Sequence, residues 1–442
     1  MSNDASNTAV SRANRRATWA WALWDWAEQP YPTIIQTFIF ATYITSSAFG
    51  DKDTNTNLLS VGNMVAAILV AISAPVFGRR SDDAGKRKFW LLVNSAVLIA
   101  IMAASYLVRP APAFLIFGIA LYAIGSVVQE TAFINYYAML KQVTTKQNMG
   151  KVSGFAWGLG YVGGIILLLI SLVGFAKPKD NHPWFGVPMT DATNIRILFV
   201  FSAIWMLIFA IPLALFVPEV SAKNQIGKES LIQSYKSLFA QLAKLRKTSP
   251  DALKFLIASA VYRDGLAGVF TYGAILGSVA FGFSTEQVIY YGIAANIVAG
   301  IGAALGGWLD DKLGTKVTIA GSLAGLLLAG LGVFVFAGEG KITYWIGGLI
   351  LCLFVGPAQA SSRTFVARFT PEGREGEIFG IYQTTGKITS FLSPTFWLIA
   401  TGVAAALGVA HTAIFGILGL MVVLGVGLLL LVRVHPAPTM ND

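Results

Sequence analysis

Gly78-Arg79-Arg80-Ser81-Asp82-Asp83-Ala84-Gly85-Lys86-Arg87-Lys88 recurs in outline far downstream as Gly307-Trp308-Leu309-Asp310-Asp311-Lys312-Leu313-Gly314-Thr315-Lys316. Both stretches read Gly-x-x-x-Asp-x-x-Gly with basic residues after it, and each joins one long apolar run to the next. A single copy would be an ordinary capped turn. Two copies at corresponding places point to a chain built from two parallel halves, an arrangement found in membrane transporters.

The flanking sequence fits that reading. Of the 442 residues, 55% are hydrophobic and only 12% are charged, and the mean hydropathy is +0.65. Such a chain is too apolar for an ordinary soluble domain. Its runs are continuous and do not alternate, so they predict helices and not a barrel. Candidate spans cover 19–49, 58–78, 89–108, 112–138, 152–176, 194–217, 253–281, 286–308, 317–337, 342–367, 378–400 and 409–432. The expected fold is therefore an all-α membrane protein with twelve transmembrane helices in two six-helix bundles. The bundles are 19–217 and 253–432, flanked by cytoplasmic tails at 1–18 and 433–442. Span 1 is long and holds Pro30 and Pro32, which predict a kink.

The net charge of +10 is explained by topology, so no nucleic-acid partner is expected. One set of loops carries most of the loop lysines and arginines. The other carries only Lys52, Arg109, Lys177, Lys179, Arg196 and Lys341. By the positive-inside rule both termini are cytoplasmic, and the polar start with Arg12, Arg15 and Arg16 reads as a tail and not as a cleaved signal. The expected location is a bacterial inner membrane. In the linker 218–252, Leu231, Tyr235, Leu238, Phe239, Leu242 and Leu245 recur at helical spacing among lysines and arginines. This predicts an amphipathic helix lying on anionic lipid, with recruitment of another protein as the alternative.

Enzyme chemistry is not indicated. Cys352 is the only cysteine, and His182, His411 and His435 are scattered, so neither a metal site nor a nucleophile with its base is expected. No glycine-rich loop has the context of a nucleotide site, and no cofactor is expected. The many glycines, such as Gly154, Gly158, Gly300, Gly302, Gly306 and Gly307, suit close helix packing.

Charge inside a bilayer costs about 2.5–3.5 kcal/mol at a helix centre, so each such residue needs a partner or a function. Asp25 and Glu28 lie in span 1, Glu130 in span 4, Arg263 and Asp264 in span 7, Arg363 in span 10 and Lys387 in span 11. Asp25 and Glu28 share a helix face, an arrangement suited to proton coupling. Alternatively, Asp25 sits in an aromatic belt with Trp19, Trp21, Trp24 and Trp26. Adjacent Arg263 and Asp264 point in different directions, so Glu130 and Arg363 are their expected partners. A structural ion pair competes there with recognition of an anionic substrate group. Asn135, Tyr262, Gln359 and Tyr382 complete the expected site, together with Asn63, Tyr136, Tyr272, Asn296 and Gln383, although most such aromatics merely pack. The intramembrane carboxylates outnumber the cations by one. Glu28, deepest in span 1, is the expected proton carrier. Gly78, Asp82, Gly85 and Arg87, with Gly307, Asp311 and Gly314, are expected to gate conformation, each aspartate facing a helix amino terminus. Plain turn capping is the alternative.

At these turns the chain resembles the major facilitator superfamily. More narrowly, it resembles the autophagy-related vacuolar effluxers and their bacterial homologues. The residues that carry this are Trp21-Ala22-Leu23-Trp24-Asp25-Trp26-Ala27, Tyr262-Arg263-Asp264-Gly265, Gln359-Ala360-Ser361-Ser362-Arg363 and Pro371-Glu372-Gly373-Arg374. Phe379-Gly380-Ile381-Tyr382, Gly386-Lys387 and Pro394 complete the set. The resemblance implies a twelve-helix secondary transporter whose spans 1, 4, 7 and 10 line a central cavity, with amino-acid efflux the best-known activity of the eukaryotic branch. Glu28 departs from the pattern, standing where an Asn usually follows, and so does Pro30. The expected function is alternating-access transport of a small polar solute, amino acids or related zwitterions, with protons as coupling ion and lipid around a monomer. Proton-coupled uptake of an organic solute and a non-transporting receptor or scaffold are the alternatives.

Overall fold

The computed structural model describes residues 2–176, 180, 182–219, 247, 249–409 and 411–435, with side chains described from Arg15 onward except at 274, 285, 286 and 289. Its long helices are α1 (Ser2–Glu28), α2 (Lys52–Ala84), α3 (Arg87–Ser105), α4 (Leu115–Ala138), α5 (Met149–Ser171) and α6 (Thr193–Phe216). The series continues with α7 (Pro250–Ile275), α8 (Thr285–Leu313), α9 (Thr315–Val335), α10 (Lys341–Phe369), α11 (Glu375–Thr389), α12 (Leu392–Ala406) and α13 (Gly416–Val432). Among the described residues, ten stretches are long and apolar enough to cross a bilayer, with α11 and α12 counted as one. The remaining two of the expected twelve spans correspond to α1 with its continuation and to α7, the helices that carry Asp25 with Glu28 and Arg263 with Asp264.

The helix of α1 starts at Ser2, well inside the segment expected to be a tail. It ends at Glu28 because Pro30 has no N–H for the carbonyl of Trp26. The Trp205 indole donates to that carbonyl instead, at 3.1 Å, so this acceptor is not orphaned by the kink. The chain resumes as a π-helix, Tyr31–Phe38, and a short helix, Phe40–Ile44. Pro394 likewise separates α11 from α12, and Asp264 fills the break. Its Oδ2 accepts from the Ser393 N–H at 2.6 Å, and its backbone carbonyl accepts from the Ser393 hydroxyl at 2.9 Å.

The chain forms two compact units. The first is Met1–Val143, Leu159–Gln225 and Glu375–Gly380; the second is Thr144–Gly158, Ile226–Arg374 and Ile381–Asp442. These units differ from a cut at the linker by exchanging two segments, the first half of α5 and the first turn of α11. The amphipathic linker helix expected within 218–252 lies outside the described residues for almost all of its length.

Candidate functional site

In the first unit the intramembrane charge is acidic. Glu28, only 2% exposed, accepts from Gln29 Nε2 at 3.1 Å and from Gln129 Nε2 at 2.9 Å. No described cation pairs with it, so two amides hold this carboxylate without neutralising it. Asp25 is 5% exposed one turn earlier, and Glu130 is half-buried on α4. The belt reading of this region is corrected. Trp21 and Trp24 are fully buried, both against Tyr136 at ring distances of 4.4 and 4.5 Å, and their indoles donate to Tyr136 O and Ser95 Oγ. Only Trp19, 59% exposed, is placed like an interfacial anchor. Asn135 joins α4 to the end of α2 by accepting from Ser81 Oγ at 2.5 Å.

In the second unit Arg263 is half-buried with no described carboxylate partner. Its guanidinium lies 3.7 Å from the ring centroid of Tyr382, donates to Tyr382 O at 2.9 Å and donates to Gln383 Oε1 at 2.8 Å. Tyr262 is paired with Ser362 at 2.7 Å. Asp264 bonds Ser393, so the expected pairing of Asp264 with Arg363 does not form. Arg363, 1% exposed, spends Nε on Ser153 Oγ and Nη2 on Ser153 O, at 3.0 and 2.7 Å, and stands over the Trp157 ring. It ties α10 to α5. Gln359 and Lys387 are half-buried.

Each repeated turn lies within one unit, and the two share a design. Asp82 Oδ1 and Oδ2 accept from the N–H groups of Gly376 and Glu377 at 3.0 and 2.9 Å, at the start of α11. Asp311 Oδ1 and Oδ2 accept from Gly150 and Lys151, both at 2.8 Å, at the start of α5. Each aspartate thus caps a distant helix where its dipole is positive. The glycines permit the approach, since a Cβ on Gly78 would collide with Gly376 O and one on Gly307 with Gly150 O. Gly85 and Gly314 close the turns at φ of 60° and 90°. Arg87 completes the first site, with Nε 2.6 Å from Asp82 and Nη2 2.6 Å from Glu375. In the second site Lys316 donates elsewhere, to Val432 O, and the cation is Arg368, 2.7 Å from Asp310 and 3.0 Å from Asp311.

Sequence reasoning missed Gln129, Ser153, Trp157, Glu375 and Arg368. Of these, only Glu375 and Arg368 carried a signal, as charges at helix ends.

The sequence profile of the family described as vacuole effluxer Atg22 like matches residues 48–439. The chain belongs to that family. It is 26% identical over 431 residues to the uncharacterized MFS-type transporter YxiO of Bacillus subtilis, covering 96% of this chain and 95% of that one. Autophagy-related protein 22-1 of Aspergillus fumigatus is 24% identical over 276 residues, 57% of this chain and 43% of the relative. Among solved structures, the proton:xylose symporter XylE superposes with a TM-score of 0.72 at 14% identity over 96% of both chains. The human organic anion transporter MFSD10 superposes with a TM-score of 0.71, also at 14% identity, over 96% of this chain and 99% of that one. The fold is that of the major facilitator superfamily, and this family member is a multi-pass membrane transporter and not an enzyme.

Proposed function

We propose that this family member exports a small zwitterion, an amino acid or a close relative, from the bacterial cytoplasm by alternating access and with proton coupling. The supporting observation is the contrast between two polar groups that, among the described residues, no opposite charge neutralises. Glu28 is held by amides alone, and Arg263 by a tyrosine ring, a carbonyl and an amide. A buried carboxylate without a described counter-cation suits an ammonium or a transported proton, and a planar guanidinium suits a substrate carboxylate. The two repeated turns serve as latches that break and re-form during the cycle.

The test is counterflow of labelled neutral amino acids in proteoliposomes, with and without an imposed pH gradient. Glu28→Gln is expected to keep exchange while losing its dependence on the gradient. Arg263→Gln is expected to weaken solutes bearing a carboxylate about tenfold or more, since charge-assisted bonds are worth roughly 1.5–3 kcal/mol. If decarboxylated analogues compete as well as the amino acids, the zwitterion reading fails. If the Glu28→Gln protein still accumulates solute uphill at the parental rate, coupling lies with Asp25 or Glu130.

A further inference from the structure

A groove of about 580 Å³ runs between the second half of α1 and the end of α6. On α1 its wall is made by Arg15, Arg16, Trp19, Ala20 and Leu23, residues that recur at three- and four-residue spacing and so form one stripe. Pro212 and Phe216, a turn apart on α6, form the other wall. The groove is amphipathic along its length: two exposed guanidiniums at one end, then an indole and aliphatic and aromatic carbon. Neither arginine forms an ion pair with a described residue.

Its level in the molecule is set by the sequence. Phe216 ends an apolar span, so the apolar part of the groove lies at the last turn of hydrocarbon and the arginines lie where headgroups begin. Trp19, exposed beside them, is the residue type that prefers this boundary. A soluble anion would use the arginines but leave the carbon wall idle, and a neutral lipid would do the reverse. From this charge and shape complementarity we infer that the groove is a binding site for one anionic glycerophospholipid, its phosphate on Arg15 and Arg16 and an acyl chain against Trp19, Leu23 and Phe216.

The experiment is native mass spectrometry of the full chain titrated with phosphatidylglycerol, with phosphatidylcholine of the same acyl chains, and with inorganic phosphate. One phosphatidylglycerol should bind ahead of the rest, and phosphatidylcholine and phosphate should not match it. Each basic residue near an anionic lipid surface is worth roughly fivefold in affinity, so Arg15→Gln with Arg16→Gln should weaken the first site about 25-fold. Both side chains are exposed, so the unliganded melting temperature should hold and show the variant folded. Arg109→Gln, which removes an exposed arginine from a different loop, should leave the site intact. Equal binding of phosphatidylcholine, equal binding of inorganic phosphate, an unaffected double variant, or the same loss in Arg109→Gln would each overturn the assignment.

Discussion

The turn at Asp82 and the turn at Asp311 share their spacing, their glycines and the use of an aspartate to cap a distant helix, but they differ in where the cation comes from. In the first, Arg87 belongs to the repeated segment itself and bridges Asp82 and Glu375, all three side chains being under 10% exposed. In the second, the equivalent Lys316 has turned away to Val432, and Arg368 arrives from the end of α10 with its side chain 31% exposed. A repeated motif therefore preserves the backbone geometry of a helix-capping turn while leaving its electrostatics free to diverge. Buried charge partners are costly to separate, and exposed ones are not. The first turn should accordingly dominate the conformational equilibrium.

Asp82→Asn tests this most directly. An anion at a helix amino terminus is worth up to about 2 kcal/mol when partly buried, and Arg87 loses one of two partners as well. Transport should fall about tenfold or more, while substrate-induced thermal stabilisation persists, because Asp82 lies on the terminal turn of α2, away from the Glu28 cluster. Loss of binding in step with transport would make the turn part of the substrate site. Asp311→Asn should slow transport about threefold, since its cation is partly solvated and Asp310 retains Arg368. Equal effects in the two variants would mean that the helix caps alone govern the latch.

Arg363→Lys comes next in size, and its readout is different. A lysine keeps the charge but cannot reach Ser153 Oγ and Ser153 O together, nor stack as a plane over Trp157. The α10–α5 tie should weaken, lowering the melting temperature by several degrees with solute affinity within about twofold of the parent. A loss of affinity without a loss of stability would return Arg363 to substrate recognition.

How much of this could be read from the sequence depends on whether a residue's own chemistry or its partner carries the signal. Asp25, Glu28, Arg263 and Arg363 stand out because charge in an apolar run is rare. The two turns stand out because glycine and aspartate repeat at fixed spacing. The break after Glu28 follows from Pro30. The partners do not stand out. Gln129 lies 101 residues from Glu28, Ser153 lies 210 from Arg363, and neither an amide nor a serine is unusual in a helix of this type. Hydropathy ranks side chains by their cost in lipid and cannot say which of many tolerable ones meet. The same limit explains why sequence suggests a charge pair between Arg363 and Asp264: it points to opposite charges, whereas in the fold Asp264 bonds Ser393 and Arg363 bonds Ser153.

A third aspartate sharpens the comparison by lacking what the other two share. Asp51 is exposed and precedes α2, whose own amino terminus it caps. Its Oδ2 accepts from Thr54 N at 2.8 Å and from the Thr54 hydroxyl at 2.9 Å, and it bonds no other described helix. If capping a helix were enough to govern transport, Asp51→Ala would slow it; the expected result is an unchanged rate and a small fall in melting temperature. The backbone and hydroxyl hydrogen bonds of Thr54 hold the Asp51 carboxyl below its usual range. A group depressed in the folded state contributes stability above its unfolded pKa, about 3.9 for aspartate, and loses it as pH falls through the lower folded value. The gap in melting temperature between parent and Asp51→Ala should therefore be full at neutral pH and close only in strong acid. Asp51→Asn, which can still cap, should follow the parent at neutral pH, because the bond to Thr54 and not the charge is what the helix end needs. A slower Asp51→Ala transporter would show that the end of α2 remote from Asp82 also takes part in the latch.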